Sequence, residues 1–317
     1  MAAAGPKKVI IAALIGNLLI AVTKFIAATI TGSSAMFSEG IHSVVDTGNQ
    51  VLLLYGLHRA KKPPDDQFPF GHGKEIYFWS FIVAILIFAV GSGFSIYEGV
   101  HRLLDPQPIE RPLISYTVLV LAMVFEGVAW YFAWTEFTKT KGKWGTIEAV
   151  HRGKDPSMFV VLFEDSAAMI GLGVAFAGIA LSQATGILWF DGAASVVIGL
   201  ILAGTAVWLA YETKGLLIGE SADMVVVEGI RQIANSYEEI RRVHEVLTMH
   251  VGPDFILVNI SVKFRGDVRA TAIEAAITRL DRDLKKGFPE IKRVFVEAEG
   301  LKQTPLESPP SGGDLQK

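Results

Sequence analysis

The sequence predicts an α-helical membrane protein with six transmembrane helices, followed by a small C-terminal α/β domain. Hydrophobic residues make up 51% of the 317 residues and charged residues only 19%, which is less charge than a soluble chain of this size normally carries. The mean hydropathy is +0.41. Six apolar stretches are each long enough to cross the hydrocarbon core of a bilayer, which is about 30 Å thick. From about residue 222 onward the composition becomes that of a soluble domain.

The six apolar stretches place a transmembrane domain at residues 1–215. A spanning helix needs about 20 predominantly apolar residues. The third stretch is long enough that we expect it to tilt or to protrude from the membrane. The predicted spans are 9–30, 35–57, 77–103, 113–137, 158–181 and 190–211.

Basic residues are distributed unevenly between the loops, and this predicts the orientation. Positive residues concentrate in the cytoplasmic loops of membrane proteins. Successive loops lie on alternate sides of the membrane. One side carries only Arg102 and Arg111, whereas the other carries Lys7, Lys8, Arg59, Lys61, Lys62, Lys74, Lys139, Lys141, Lys143, Arg152 and Lys154. We expect a multi-pass protein of the plasma (inner) membrane with both termini in the cytoplasm.

The predicted cytoplasmic domain occupies residues 222–300. Its patterns predict helices at 225–236 and 270–287 and strands at 242–250, 255–264 and 291–299. The α-β-β-α-β order gives a small ferredoxin-like sheet with both helices on one face. About 80 residues make a marginally stable domain, which would gain from dimerisation. We expect the tail at 301–317 to be disordered, because it is polar and rich in proline and glycine.

Residues that could bind a cation lie inside the second predicted span. His42 and Asp46 are four residues apart and so share one helix face, which Glu39 and Asn49 extend. A carboxylate inside a bilayer is costly unless it meets a partner, a cavity or an ion. A polar stripe that holds helices together would explain this face equally well.

A second pair of carboxylates lies inside the fifth predicted span and favours the cation site. Glu164 and Asp165 both fall near the middle of that helix. Two membrane helices that each offer oxygen or imidazole ligands predict a binding site for a metal ion. The chain has no cysteine, so the ligands must be His, Asp, Glu, Asn or backbone groups.

Other polar residues in the spans have several explanations. Lys24 could snorkel or pair with a carboxylate of the bundle. For Glu126, a functional role and a hydrogen bond to a neighbouring helix remain equally open. Asp191 suits an N-cap of the sixth helix, and Gly199 and Gly204 are expected to allow close helix approach.

The loop after the second span contains a possible peripheral ion site. Its prolines and glycines exclude regular secondary structure. Asp65, Asp66 and His72 could bind an ion there, although an exposed acidic pair is usually only solvated.

Taken together, these features resemble those of the cation diffusion facilitator family of metal/proton antiporters. The resemblance rests on six spans, the His42-x-x-x-Asp46 pair, an aspartate in the fifth span, the α/β tail and the loop motif Phe-Gly-His-Gly-Lys-Glu at 70–75. The sequence around Asp165 resembles a divergent branch of that family, which includes the mitochondrial zinc-transporter homologue. The resemblance implies a homodimer.

The resemblance also implies a transport site with two ligands from each of two helices. His42, Asp46 and Asp165 match three of these positions, but the fourth falls on Val161, which cannot coordinate a metal. Glu39, Asn49, Glu164 or water could complete the shell. In the family's loop site, Asp65 and His72 match, while Phe68 occupies a further liganding position. In the tail, His244, Glu297 and Glu299 fall near metal-binding positions and Ser261 occupies another.

These observations predict a transporter and not an enzyme. We expect efflux of a divalent metal from the cytoplasm in exchange for protons, with Zn²⁺ as the leading candidate and Mn²⁺ or Fe²⁺ as alternatives. We expect no bound cofactor and no nucleic-acid partner. The alternative is a metal sensor or scaffold that has lost transport. An intramembrane metallohydrolase is disfavoured, since the chain lacks the His-Glu-x-x-His signature.

Overall fold

A computed structural model describes residues 6–109 and 111–298. The elements within these residues are α1 (Pro6–Thr31), α2 (Ser34–Arg59), α3 (Glu75–Leu86), α4 (Gly93–Leu104), α5 (Pro112–Lys141), α6 (Thr146–Arg152), α7 (Pro156–Thr185), α8 (Trp189–Ile218), α9 (Met224–Asn235), β1 (Ile240–Gly252), β2 (Phe255–Phe264), α10 (Ala270–Gly287) and β3 (Ile291–Ala298). A π-helical segment, Ile87–Ser92, joins α3 to α4.

The prediction of a helical membrane protein is confirmed. Four stretches of the described residues are long and apolar enough to cross a membrane: Glu75–Leu104, Pro112–Lys139, Pro156–Thr185 and Trp189–Ile218. Helices α1 and α2 have 26 residues each. Within the part of α1 whose side chains are described, Asn17–Thr31 is a shorter apolar stretch. Helix α2 carries many buried polar residues, which lower its hydropathy. Six membrane spans therefore remain a prediction.

The third predicted span differs from a continuous α-helix. Its middle is the π-helical segment, which buries Gly91 and Ser92 and packs against α8. A π turn widens the helix locally and is often found at functional sites. Such a departure depends on packing and cannot be predicted from apolar periodicity.

Glycine allows α4 and α8 to approach closely, as predicted for Gly199. A Cβ atom at Gly199 would lie 2.9 Å from the backbone nitrogen of Ile96 and 3.1 Å from the carbonyl oxygen of Ser92. The prediction for Gly204 is wrong, because no atom lies within 4 Å of the corresponding position there. Close packing of α8 therefore requires glycine at position 199, on the face that meets α4, but not at position 204.

The chain divides into two compact units. The first extends to Glu220 and includes Val251–Pro253, and the second comprises Ser221–His250 and the chain from Asp254 onward. In the second, the strand order is β1-β2-β3, and β2 pairs with β3 in parallel. The observed element order is the predicted α-β-β-α-β.

One apolar cluster fills the small α/β unit. Alternate residues of β2 are buried, as a period of two requires. They pack with residues of α9, which include Ile230, and of α10, which include Leu280. Both helices therefore cover the same face of the sheet. Strand β1 is longer than predicted, whereas β2 and α10 have the predicted bounds. Glu299 and the tail at 301–317 lie outside the described residues.

Candidate metal-transport site

His42 and Asp46 lie one turn apart on the buried face of α2. Their exposed fractions are 1% and 4%. The Nε2 atom of His42 lies 3.2 Å from Oδ1 of Asp46, but without the alignment of a hydrogen bond. Both ring nitrogens of His42 and Oδ1 of Asp46 have no hydrogen-bond partner. Unpartnered buried polar atoms are costly and call for an explanation, and an ion that uses them as ligands supplies one.

Helix α7 brings Glu164 and Asp165 to the same part of the bundle. Both side chains are buried, and α7 packs against α2. The amide of Asn49 donates a hydrogen bond to Oε1 of Glu164 at 2.6 Å. The Glu164 carboxyl also interacts electrostatically with Asp46. The structure therefore brings the predicted residues of the second and fifth spans together.

A third helix adds a carboxylate, Glu126 of α5. This side chain is 1% exposed and its Oε1 atom has no hydrogen-bond partner. It interacts electrostatically with Asp165. One turn further along α5, the indole of Trp130 donates to Oγ of Ser166 at 2.9 Å, which turns this face of α5 towards α7. The sequence alone leaves both roles of Glu126 open, because the position of this residue along α5 does not show which helix it meets.

Glu39, the predicted ligand one turn before His42, lies in an ion pair with a lysine. Nζ of Lys24 lies 3.1 Å from Oε2 of Glu39 and donates to Oγ of Ser43 at 2.9 Å. The pairing of Lys24 with a carboxylate of the bundle is confirmed. The second oxygen of Glu39 has no hydrogen-bond partner.

The buried charges of this region are mainly negative. Helices α2, α5 and α7 carry the buried carboxyl groups of Glu39, Asp46, Glu126, Glu164 and Asp165. Lys24 and His42 are the nearby basic groups. Because charges interact strongly in a low-dielectric interior, so many carboxylates are stable only with bound cations or protons. In the described residues, no group of three or more His, Asp or Glu side chains is arranged to hold a metal ion.

Val161, at the position of the missing fourth ligand, is half-buried. It packs against the apolar core of the bundle. It lies one turn before Asp165, where an aliphatic side chain contributes no ligand atom. Any further ligand must therefore come from another residue or from water.

The loop pair Asp65 and His72 forms a local hydrogen-bonded turn. Nε2 of His72 lies 2.9 Å from Oδ2 of Asp65, and Oδ1 of Asp65 accepts hydrogen bonds from the backbone amides of Gln67 and Phe68 at 3.0 and 2.7 Å. The bond with His72, followed by that from Phe68, lowers the pKa of Asp65. Asp66 is exposed. The two matched residues are close enough to share an ion, but Nε2 of His72 already bonds to Asp65.

Asp191 is not the N-cap of its own helix, which corrects the prediction. It lies in the first turn of α8 and accepts hydrogen bonds at the start of α2. The donors are Oγ of Ser33 at 2.6 Å and the backbone nitrogen and Oγ of Ser34 at 2.7 and 2.8 Å. A long-range contact of this kind cannot be read from local sequence.

Three of the four predicted positions of the tail, His244, Ser261 and Glu297, lie on strands of the small sheet. Ser261 of β2 and Glu297 of β3 are opposite each other in the parallel register. His244 is an exposed residue of β1.

Comparison with known proteins identifies the family. The profile of the cation efflux transmembrane domain matches residues 10–218. The mitochondrial proton-coupled zinc antiporter SLC30A9 of Xenopus laevis is 35% identical over 92% of this chain and 59% of its own length. Metal tolerance protein C4 of Arabidopsis thaliana is 30% identical over 80% of this chain and 56% of its own length. The chain thus spans less than three fifths of the length of either relative.

A bacterial relative matches over nearly its whole length. The manganese efflux system protein MneP of Bacillus subtilis is 22% identical over 92% of this chain and 94% of its own length. These relatives are named as transporters or as a metal tolerance protein and not as enzymes, in line with the prediction. The predicted resemblance is confirmed, including the likeness to the mitochondrial zinc transporter. The chain is a multi-pass membrane protein and belongs to the cation efflux family.

Proposed function

We propose that this protein exports a divalent metal ion, chiefly Zn²⁺, from the cytoplasm in exchange for protons. The observation that carries the proposal is the packing of α2 against α7. Buried atoms of His42 and Asp46 have no hydrogen-bond partner there, and Asp46 interacts electrostatically with Glu164 and Asp165. The name of the Xenopus relative supports zinc and proton coupling, and that of the Bacillus relative supports manganese as an alternative. His42, Asp46 and Asp165 are the core ligands in this proposal. Glu164, Asn49 or water completes the shell.

Proton exchange follows from the chemistry of these ligands. A metal ion requires neutral imidazole and ionised carboxylates, so its binding releases protons and protonation releases the metal. Imidazole is the side chain whose charge changes nearest neutral pH, which makes His42 the coupling group. Transport then requires two conformations that expose the buried site to opposite sides of the membrane in turn.

The remaining parts of the chain have supporting roles in this proposal. All six predicted spans cross the membrane, and both ends of the chain lie in the cytoplasm, as the distribution of basic residues indicates. The small α/β domain, 222–300, joins two copies of the chain into a homodimer. The membrane is the plasma (inner) membrane, while the mitochondrial name of the Xenopus relative identifies an alternative location to test.

Metal flux into proteoliposomes under an imposed pH gradient tests the proposal. The native protein should move Zn²⁺ faster when protons can flow in the opposite direction. D46A, D165A and H42A should each lower the flux by at least about tenfold, because each removes a ligand that water replaces poorly. H72A is the matched histidine control and should keep most of the flux, because His72 lies in the loop hydrogen-bonded to Asp65.

Several results would contradict parts of this proposal. Unchanged flux in D46A or D165A at equal amounts of inserted protein would exclude these residues as ligands. Equal losses in H72A and H42A would assign the loop a direct role. Metal binding without any flux by the native protein would make the chain a sensor or scaffold.

A further inference from the structure

A buried ion pair lies beside the proposed metal site. The side chains of Lys24 and Glu39 are 1% and 0% exposed, and their charged atoms are 3.1 Å apart. Lys24 also donates to Ser43 at 2.9 Å. Ser43 follows the proposed ligand His42 in sequence, and Glu39 lies one turn before it. The ion pair and the metal site therefore share the same face of α2.

Lysine is rarely found in the interior of a membrane helix bundle. Its ammonium group is costly there unless a carboxylate compensates it. Glu39 supplies that carboxylate, and Lys24 also interacts electrostatically with Glu126 and with His42. Lysine carries a single charge that cannot be released to the other side of the membrane. Its ammonium group therefore lies among the carboxylates, in a place that a mobile cation would otherwise take.

Packing holds Glu39 at this position. Its Oε1 atom lies against Gly171 of α7, where even a Cβ atom would come within 2.5 Å of that oxygen. Next to Glu39 in sequence, a Cβ at Gly40 would lie 3.2 Å from the ring of Phe25, so glycine there lets α1 approach α2. Gly171 of α7 thus leaves room for the Glu39 carboxylate, and Lys24 reaches it from α1.

The structure assigns Lys24 a role as a specificity-determining positioning residue. We propose that its ammonium group keeps Glu39 out of the shell of the transported ion and so limits the number of carboxylates that reach the ion. This inference rests on the proposed function. An ion held by one imidazole and few carboxylates matches the preference of Zn²⁺ for four ligands that include nitrogen. A further free carboxylate would favour Mn²⁺, which accepts more oxygen ligands.

The test compares Zn²⁺ with Mn²⁺ in charge-changed variants of the full chain. K24M removes the charge but keeps a long side chain, and K24R keeps the charge. K24M/E39Q removes both charges together. Calorimetry of purified protein gives the dissociation constants for both metals, and proteoliposome flux gives the transport ratio.

Each variant has a distinct expected result. K24M should lower the Zn²⁺ to Mn²⁺ preference by about tenfold, the scale seen when the surroundings of metal ligands change. K24R should keep the native preference. K24M/E39Q should return to within about twofold of it, which is the usual error of additivity, because Lys24 acts through Glu39. A purely structural lysine would lower the amount of folded protein without changing this preference.

Three outcomes would overturn the inference. An unchanged metal preference in folded K24M would show that Lys24 does not set it. If K24M does not fold, the charge-balanced K24M/E39Q variant is measured in its place. A shifted Zn²⁺ to Mn²⁺ preference in that variant would show that Glu39 is itself a ligand. A K24R protein that behaves like K24M would exclude the charge as the cause. Binding that shifts as expected without native flux would instead refute the proposed function alone.

Discussion

Asp191→Ala should destabilise the helix bundle strongly, although Asp191 lies outside the proposed metal site. The carboxylate of Asp191 accepts three hydrogen bonds from Ser33 and Ser34 at 2.6, 2.7 and 2.8 Å. All three residues are buried. Nε of Arg102 lies 4.0 Å from the same carboxylate, and Arg102 also donates to the carbonyl oxygen of Gly32. Asp191 therefore ties the start of α2, which carries His42 and Asp46, to α8.

The size of the effect follows from these bonds. A hydrogen bond to a charged group contributes about 1.5–3 kcal/mol, and a buried donor left without an acceptor costs about 1–3 kcal/mol. Contributions within one cluster are not additive, so we take the lower value for each bond. The expected loss in the free energy of unfolding is then about 4–5 kcal/mol, which would lower the melting temperature by about 6–8 °C in a chain of 317 residues.

The assay is thermal unfolding of the purified protein in detergent. D191N keeps one side-chain oxygen, which can still accept the hydrogen bonds from Ser34. Its free energy of unfolding should therefore fall by only about 1–2 kcal/mol. The matched control is D155A, which removes a partly buried N-cap of α7 that accepts from the amide and hydroxyl of Ser157 at 3.0 and 2.6 Å. It should cost about 1 kcal/mol. A loss in D191A no greater than that in D155A would refute the reasoning.

Four further variants test other parts of the structure. G199A should cost about 1–3 kcal/mol by overpacking the contact between α4 and α8, whereas G204A should be neutral or slightly stabilising in the same melting assay. The hydroxyl of Tyr237 donates a hydrogen bond to Asp283 at 2.6 Å, which lowers the pKa of the Asp283 carboxyl. This bond therefore stabilises the folded state fully above the ordinary aspartate pKa. The stabilisation is lost as the pH falls through the lower pKa of the folded state. Y237F should therefore weaken the acid-side pH dependence of unfolding measured by circular dichroism, and an identical profile would contradict this. V161H should shift transport from Mn²⁺ towards Zn²⁺ by adding a nitrogen ligand one turn before the ligand on α7; an unchanged preference in folded protein would mean that position 161 does not face the ion.

Much of the fold was predictable because its causes are local. Apolar length defines the helices of the bundle, and alternation with a period of two defines β2. The apolar face of α10 repeats every three to four residues, which fixed its bounds at Ala270–Gly287. The π-helical segment, Ile87–Ser92, lay outside such reasoning, because it depends on how the third apolar stretch packs against α8.

The residues of the proposed site also divide into those that the sequence predicts and those that only the tertiary structure reveals. The sequence by itself determined that His42 and Asp46 share a helix face and that Glu164 and Asp165 lie inside another apolar helix, since spacing along a helix fixes direction. Only the tertiary structure decided that Glu126 joins them, that Lys24 takes Glu39 as its partner, and that Asp191 serves α2 and not its own helix. These partners lie far apart in sequence, and helix periodicity does not say which helices meet. Burial in a low-dielectric interior requires each charge to find a partner, but the packing of the helices chooses which partner it finds.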